Sequence, residues 1–155
     1  MEADSKRIVP NDVMLGEVRR MIAEGHSVTI KVKGVSMLPF IVGGRDSVRL
    51  VKPSHLRERD IALAEVDEGH YVLHRIKRIE PTRITLMGDG NLRGMEYCRP
   101  KDIAGKVEVI FRNGKSIDPW APSEQRHVGL WLALTPIRRI LLVIYRRTVL
   151  RSQLK

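Results

Sequence analysis

The sequence predicts a mostly β protein of the α+β class, with a helix near its N-terminal end and a basic helical region at its C-terminal end. In the middle of the chain, apolar and polar residues alternate in short runs separated by Gly, Pro and Asp, a pattern typical of half-buried strands. Helical spacing occurs before and after this part. The chain has 155 residues, of which 43% are hydrophobic, so it fits one compact domain.

The first predicted element is a helix that Asn11 or Asp12 can cap and that Gly25 can end. Its apolar residues fall near one face, and they are Val13, Leu15, Val18, Met21 and Ile22. From Ser27 onward the period changes, because Val28, Ile30 and Val32 alternate with polar residues. The period of two indicates a half-buried strand.

Five further strands follow the first one, and they are predicted at Ser47–Val51, Ile61–Val66, Tyr71–Ile79, Arg83–Met87 and Gly105–Arg112. Asn113 and Gly114 stand between extended runs, and both residue types tolerate positive φ, which predicts a two-residue hairpin turn. Ser123 can cap a C-terminal helical region that Pro136 must interrupt. We therefore divide the chain into a β domain with its N-terminal helix, residues 1–120, and a helical extension, residues 121–155, packed on that domain or at a membrane surface.

The positive charge is unevenly distributed. Residues 125–155 hold seven basic and no acidic residues, so they carry +7 of the formal +10 and the rest of the chain carries +3. A basic tail on a nearly balanced body indicates an anionic partner, such as a membrane surface or an acidic protein. Nucleic acid is not the expected partner, because no basic stripe carries the aromatic residues that stack on bases.

Two stretches bear on localisation. The N-terminal residues contain no apolar run of the length that a signal peptide needs. The apolar stretch from Val128 to Tyr145 is interrupted by Pro136, Arg138 and Arg139, which disfavours a membrane span. We expect a cytoplasmic protein whose tail can lie at the inner face of the membrane, with an apolar stripe of Ile137, Ile140, Leu141 and Ile144 flanked by arginines.

Ser36 is the candidate nucleophile. It stands in the segment Gly34-Val35-Ser36-Met37-Leu38-Pro39, where the first strand ends. A nucleophilic serine needs a hydroxyl held on a tight turn, and its own amide often donates to the developing oxyanion. Gly34 and Pro39 suit such a turn, so Ser36 is assigned both as nucleophile and, through its amide, to the oxyanion hole. The alternative is an ordinary serine at a strand end.

His74 is the candidate general base. It lies in the strand-like run from Tyr71 to Ile79, on the face that carries Val72 and Ile76. A neutral imidazole there could take a proton from Ser36 and return it to a leaving amine. The alternative is a satisfied histidine in a strand. Lys77 falls on the opposite face of the strand and is discounted as the base.

Asp89 is the candidate third residue. It follows a predicted strand in Gly88-Asp89-Gly90-Asn91 and could hold His74 in one tautomer. Asp-Gly pairs also simply make turns, and Asp46 and Asp60 compete for the acidic role. The only cysteine is Cys98, and no His or Cys cluster has metal-ligand spacing. We expect no metal and no cofactor.

Four short segments, taken in order, resemble the sequence boxes of the S24/S26 serine peptidases, the superfamily of signal peptidase I and LexA. They are Gly34–Pro39, Arg59–Ala62, Val72–Ile76 and Gly88–Asn91. The resemblance implies coiled, partly barrel-like β sheets and a groove that binds an extended peptide by strand addition. His74 stands at the position of the general base, so the chain is similar to the histidine branch, where Asp89 matches the acidic residue of the last box.

The chain also departs from that pattern. Secretory signal peptidases carry an N-terminal membrane anchor, which we do not find here. The second acidic residue of the histidine branch has no clear match, with Met95 and Glu96 in its region, and Arg59 stands where glycine is common.

The resemblance leads to a serine endopeptidase that uses Ser36 and His74, with or without Asp89, on an extended peptide with small side chains near the cut. Its substrate would be a leader peptide, a regulator or the chain itself. The alternative is a non-catalytic peptide-binding or regulatory module of the same fold.

Overall fold

The protein is described from a computed structural model, which covers residues 11–91 and 94–153. The helices are α1 Asn11–Ala23, α2 Pro122–Ala133 and α3 Arg138–Gln153, with 3₁₀ turns at Pro100–Asp102 and Thr135–Ile137. The strands are β1 Val28–Lys31, β2 Ser47–Val51, β3 Ile61–Asp67, β4 His70–Ile79, β5 Ile84–Met87, β6 Glu96–Cys98, β7 Ile103–Arg112 and β8 Lys115–Ile117.

The strands of the described residues form one antiparallel sheet in the order β1-β2-β7-β3-β4-β5-β6, with β8 paired to β7. The predicted mostly β fold with helices before and after it is confirmed. This sheet is open and does not close into a barrel. Among the described residues, β1 and β6 are the first and last strands of this order.

Most elements predicted from residue patterns are present. β2 has the predicted bounds, and β3, β4, β5 and β7 begin or end within two residues of prediction. The hairpin is confirmed, since Arg112 pairs with Lys115 and the turn residues Asn113 and Gly114 have φ of 51° and 75°. Pro136 lies in the 3₁₀ turn that separates α2 from α3, as predicted.

Two predictions of local structure need correction. Ser123 does not cap α2, because the helix starts at Pro122 with Ala121 as its N-cap residue. Proline suits the first helical position, since its missing N–H would have no partner there. The three-residue strand β6 was not predicted. The proposed caps Asn11 and Asp12 have side chains outside those described.

β3 divides the interior into two apolar clusters, because its alternate residues face opposite sides of the sheet. Leu63 belongs to the larger cluster, which includes the buried residues of α1, β2 and the loop after β1, with Val28 and Ile30 of β1 packed against it. Ala62 and Ala64 belong to the smaller cluster with apolar residues of β4, β5 and β6. β3 is consequently buried on both faces over Ile61–Ala64, and it fixes the central strands on which the candidate site is built.

The C-terminal helices pack on the sheet domain. Val128 and Trp131 of α2 and Leu142 of α3 are buried in the larger cluster. The indole of Trp131 also donates to the carbonyl of Asp89 at 2.9 Å. The two helices thus support the turn after β5 directly. Within the described residues, no helix combines the length and apolar character needed to cross a bilayer.

Candidate active site

Ser36 lies in a compact loop between β1 and β2. Its neighbours Met37, Leu38 and Ile41 are almost fully buried, which anchors the loop in the larger apolar cluster. Asp46 closes the loop, because its fully buried carboxylate accepts from the amide of Val42 at 2.8 Å. Ser36 itself remains partly exposed. The loop therefore presents this serine at the surface on a firmly held backbone.

The turn after β5 packs against the serine loop so closely that it requires glycine. A Cβ at position 88 would lie 2.4 Å from the carbonyl oxygen of Ser36, and one at position 90 would lie 2.6 Å from that of Val35. The amide of Gly90 donates to the carbonyl of Ser36 at 2.8 Å. These contacts explain physically why both glycines flank Asp89: any side chain there would push the serine loop away.

Ser36 and His74 line the same cavity of about 170 Å³, together with Gly34, Met37 and residues of β4. His74 is buried at 5% exposure. Its Nδ1 lies 2.8 Å from Oε2 of Glu96 on β6. Within the described part of the chain, no protein group hydrogen-bonds to its other ring nitrogen, Nε2. Ser36 and His74, the two residues predicted from the sequence, thus line one small cleft.

Strand register explains why Glu96 reaches His74. Ile76 lies opposite Leu86 on β5, and Leu86 lies opposite Glu96 on β6, so the three side chains share one face of the sheet. His74 is two residues before Ile76 and points to that same face. A carboxylate two strands away therefore extends along the sheet to the imidazole.

Asp89, the predicted partner of His74, does not contact it and binds Arg75 instead. Oδ1 and Oδ2 of Asp89 accept from Nε and Nη2 of Arg75, each at 2.7 Å. Arg75 lies opposite Met87, and Asp89 follows two residues later. Both groups consequently lie on the face opposite His74. The acidic residue at the imidazole is Glu96, for which sequence analysis found no role.

The competing carboxylates are also engaged elsewhere. Asp46 accepts from Val42 and from Arg45. Asp60 accepts from the indole of Trp120 at 2.6 Å and from the amide of Arg57. Lys77 lines a different cavity from Ser36 and His74. Of the acids considered, only Glu96 has its carboxylate on His74.

The backbone supplies free donors at Ser36. The amides of Ser36 and Met37 donate to no oxygen among the described residues, whereas the next amide, that of Leu38, donates to Val35 at 3.2 Å. Gly34, with φ of 83°, turns the chain just before this point. Unpaired amides beside a serine hydroxyl are suited to hold a developing oxyanion.

Arg59 has a left-handed backbone with φ of 79°, a region that favours glycine. Its amide donates to the carbonyl of Ile76 at 2.8 Å, and its carbonyl accepts from Arg75 at 2.9 Å. These two bonds hold the strained conformation. The geometry shows how an arginine is accommodated at a backbone position that favours glycine.

Cys98 offers no alternative nucleophile. It is buried against the smaller apolar cluster, and this burial raises the pKa of its thiol to about 11. The reactive thiolate is therefore scarce at neutral pH. The described residues also contain no group of three His, Cys, Asp or Glu side chains placed to hold a metal ion.

We expect Asp89→Asn to destabilise the protein by about 3–5 kcal/mol, because it leaves the buried Arg75 guanidinium without its counter-charge. Glu108→Gln is the matched control, since Glu108 pairs with Arg49 at the exposed surface, where loss of a pair costs about 0–1 kcal/mol. Urea unfolding of both variants measures the difference. Equal, small losses would contradict a structural role for the Arg75–Asp89 pair.

No protein-family model matches the chain, and no curated protein matches it significantly.

Proposed function

We propose that the protein is a serine endopeptidase in which Ser36 is the nucleophile, His74 the general base and Glu96 the residue that positions His74. The observation that supports this most is the shared cavity of Ser36 and His74 with Glu96 on the Nδ1 side of the imidazole. A carboxylate at Nδ1 favours the tautomer with its proton on that nitrogen. Nε2 then carries the lone pair that can accept the serine proton.

In the proposed reaction, Ser36 Oγ attacks the carbonyl carbon of the scissile bond while Nε2 of His74 takes its proton. The oxyanion is held by the amide of Ser36. His74 then returns the proton to the leaving amine as the C–N bond breaks, which leaves an ester on Ser36. Water, deprotonated by His74, hydrolyses that ester and regenerates the hydroxyl. Glu96 stabilises the transient imidazolium throughout.

Free strand edges flank the proposed site. Among the strands that the structure describes, β1 pairs only with β2. β4 pairs with β3 along its whole first half, whereas its ladder with β5 begins only at Arg75. Between them, Val32 and Lys33 line one wall of the cavity and Val72 and Leu73 line the other. An extended peptide can add to such edges through its backbone.

The proposed function is tested by incubating the wild-type protein with a library of extended peptides that vary around one position and by analysing the products by mass spectrometry. We expect cleavage after small residues such as alanine or glycine. Ser36→Ala, purified in parallel, is the negative control, because cleavage in that sample would come from a contaminating protease. Peptides that bind but are never cut would contradict the peptidase and favour a peptide-binding module.

We also propose that α3 attaches the protein to an anionic membrane surface. Leu142 is buried, and Leu141 packs against the larger apolar cluster rather than joining the exposed stripe. The opposite face exposes Ile140, Val143 and Ile144 at 62%, 46% and 54%. Among the α3 side chains that the structure describes, Arg139, Arg146 and Arg147 are exposed arginines. An apolar face flanked by cations favours the boundary of an anionic bilayer.

We expect the protein to float with vesicles that contain phosphatidylglycerol and not with vesicles of phosphatidylcholine alone. The double variant Ile140→Asp/Ile144→Asp should lose at least about tenfold in partition, since it places two charges in the contact face. Val13→Asp is the matched control, because Val13 is equally exposed, at 59%, but lies on α1. Equal flotation of the double variant and the control would contradict the attachment by α3.

A further inference from the structure

A second cavity, of about 600 Å³, lies on the other side of β4 from His74. Its walls come from three distant parts of the chain: the segment before β3, the strands β4 and β5 with the turn that follows, and the α2–α3 region. Met87 and Leu132 give it an apolar portion. The proposed peptidase reaction uses none of its charged groups.

The charges around this cavity are predominantly positive. Arg75 and Asp89 neutralise each other in their bidentate pair. This leaves Arg59, Lys77 and Arg138 against a single acid, Glu58. The cavity thus has an excess of two positive charges, which raises the local concentration of anions.

Arg138 is the feature that points to a ligand. It is only 6% exposed, and its Nε is buried without a hydrogen-bond partner. The structure shows no acidic side chain paired with it in residues 11–91 and 94–153, and its guanidinium carbon lies 5.8 Å from the centroid of the Trp131 ring. A buried guanidinium is costly unless an anion compensates it.

The position of Arg138 in the fold adds to this argument. It is the first residue of the sixteen-residue helix α3, so it lies at the positive end of the helix dipole. The planar guanidinium matches the two oxygens of a carboxylate or a phosphoryl group. Lys77 lines the cavity from β4 and can add a second cation.

We propose that this cavity is an oxyanion-binding site in which Arg138 holds a carboxylate or phosphoryl group and Lys77 supports it. The carboxylate could be that of an acidic peptide side chain, and the phosphoryl group that of a small phosphate. The site does not depend on the peptidase reaction, so it can be tested in a protein that cannot cleave.

The test uses titration calorimetry with the full chain carrying Ser36→Ala and two probes at constant ionic strength. One probe is inorganic phosphate, and the other is the blocked peptide acetyl-Gly-Glu-Gly-amide, compared with acetyl-Gly-Gln-Gly-amide. We expect one probe to bind, and which of them binds identifies the source of the oxyanion. Arg138→Met should weaken that binding by about tenfold or more, whereas Arg139→Met, an exposed neighbour, should leave it unchanged.

Lys77→Met is a second variant, at an exposed residue in the wall of the cavity. It keeps the test decisive if Arg138→Met does not fold. It should weaken binding of the same probe about threefold or more. Absence of binding by both probes would overturn the proposal. Binding that is equally strong in the wild type and in the Arg138→Met or Lys77→Met protein would overturn it as well.

Discussion

Ser36→Ala is expected to lower kcat for peptide cleavage by a factor on the order of 10³ or more, because no other group at the site can form the ester with the substrate. Cys98 cannot replace it, since burial raises the pKa of that thiol to about 11. The fold should be retained, because the side chain of Ser36 makes no hydrogen bond with a described residue and the contact to Gly90 uses its backbone carbonyl.

The rate is measured under saturating peptide, with thermal unfolding as a check on the fold. Ser54→Ala is the matched control, since Ser54 is an exposed serine away from the cavity. Cleavage by Ser36→Ala within tenfold of the control would show that the nucleophile lies elsewhere.

Glu96→Gln is expected to lower kcat by a factor on the order of 10⁴, the loss seen when the acid of a serine triad becomes an amide. The amide cannot compensate the imidazolium that forms during the reaction, and its NH₂ group can turn toward Nδ1 and favour the wrong tautomer. KM should change little, because Glu96 does not line the cavity of Ser36 and His74.

Glu108→Gln controls for the loss of one negative charge, since that residue lies on β7 at the exposed surface. Restoring a carboxylate by Glu96→Asp should recover part of the rate. A Glu96→Gln enzyme with the kcat of the control would show that Glu96 has no part in the mechanism. The residue that positions His74 would then have to be sought elsewhere.

The longer strands could be predicted because each has enough residues to define a face. β4 shows this best, since the predicted range Tyr71–Ile79 omits only His70 of its ten residues. β6 has only three residues, too few for a period, and the prediction therefore missed the strand that carries Glu96. The start of α2 was misplaced for another reason: Pro122 and Ser123 both suit a helix start, and only the backbone distinguishes them.

The residues of the candidate site also include some that the sequence predicts and one that it does not. Local patterns nominate Ser36 and His74 as candidates, and both residues line one cavity. The choice between Asp89 and Glu96 depends on which face of the sheet each side chain occupies. That face follows from the register of β4, β5 and β6 together, which no single segment of the sequence contains. Asp89 is a candidate because it lies in a Gly-rich turn, but its side chain lies on the same face of the sheet as Arg75.

The charge on the second cavity was also beyond sequence analysis. Arg59, Lys77 and Arg138 are separated by long stretches of chain, and Arg138 was counted as part of a basic tail. In the structure it is buried at 6% exposure, unlike Arg139 beside it. A count of basic residues cannot separate a buried guanidinium from a solvated one.

The most direct test of the proposed mechanism is a double-mutant cycle on Ser36 and His74, with kcat for one cleaved peptide measured in the wild type, Ser36→Ala, His74→Ala and the double variant. If both residues act in one proton transfer, each single variant should lose about as much activity as the double variant, as groups that work as a unit do. Independent, multiplying losses, or a His74→Ala protein that cleaves like the wild type, would contradict the account.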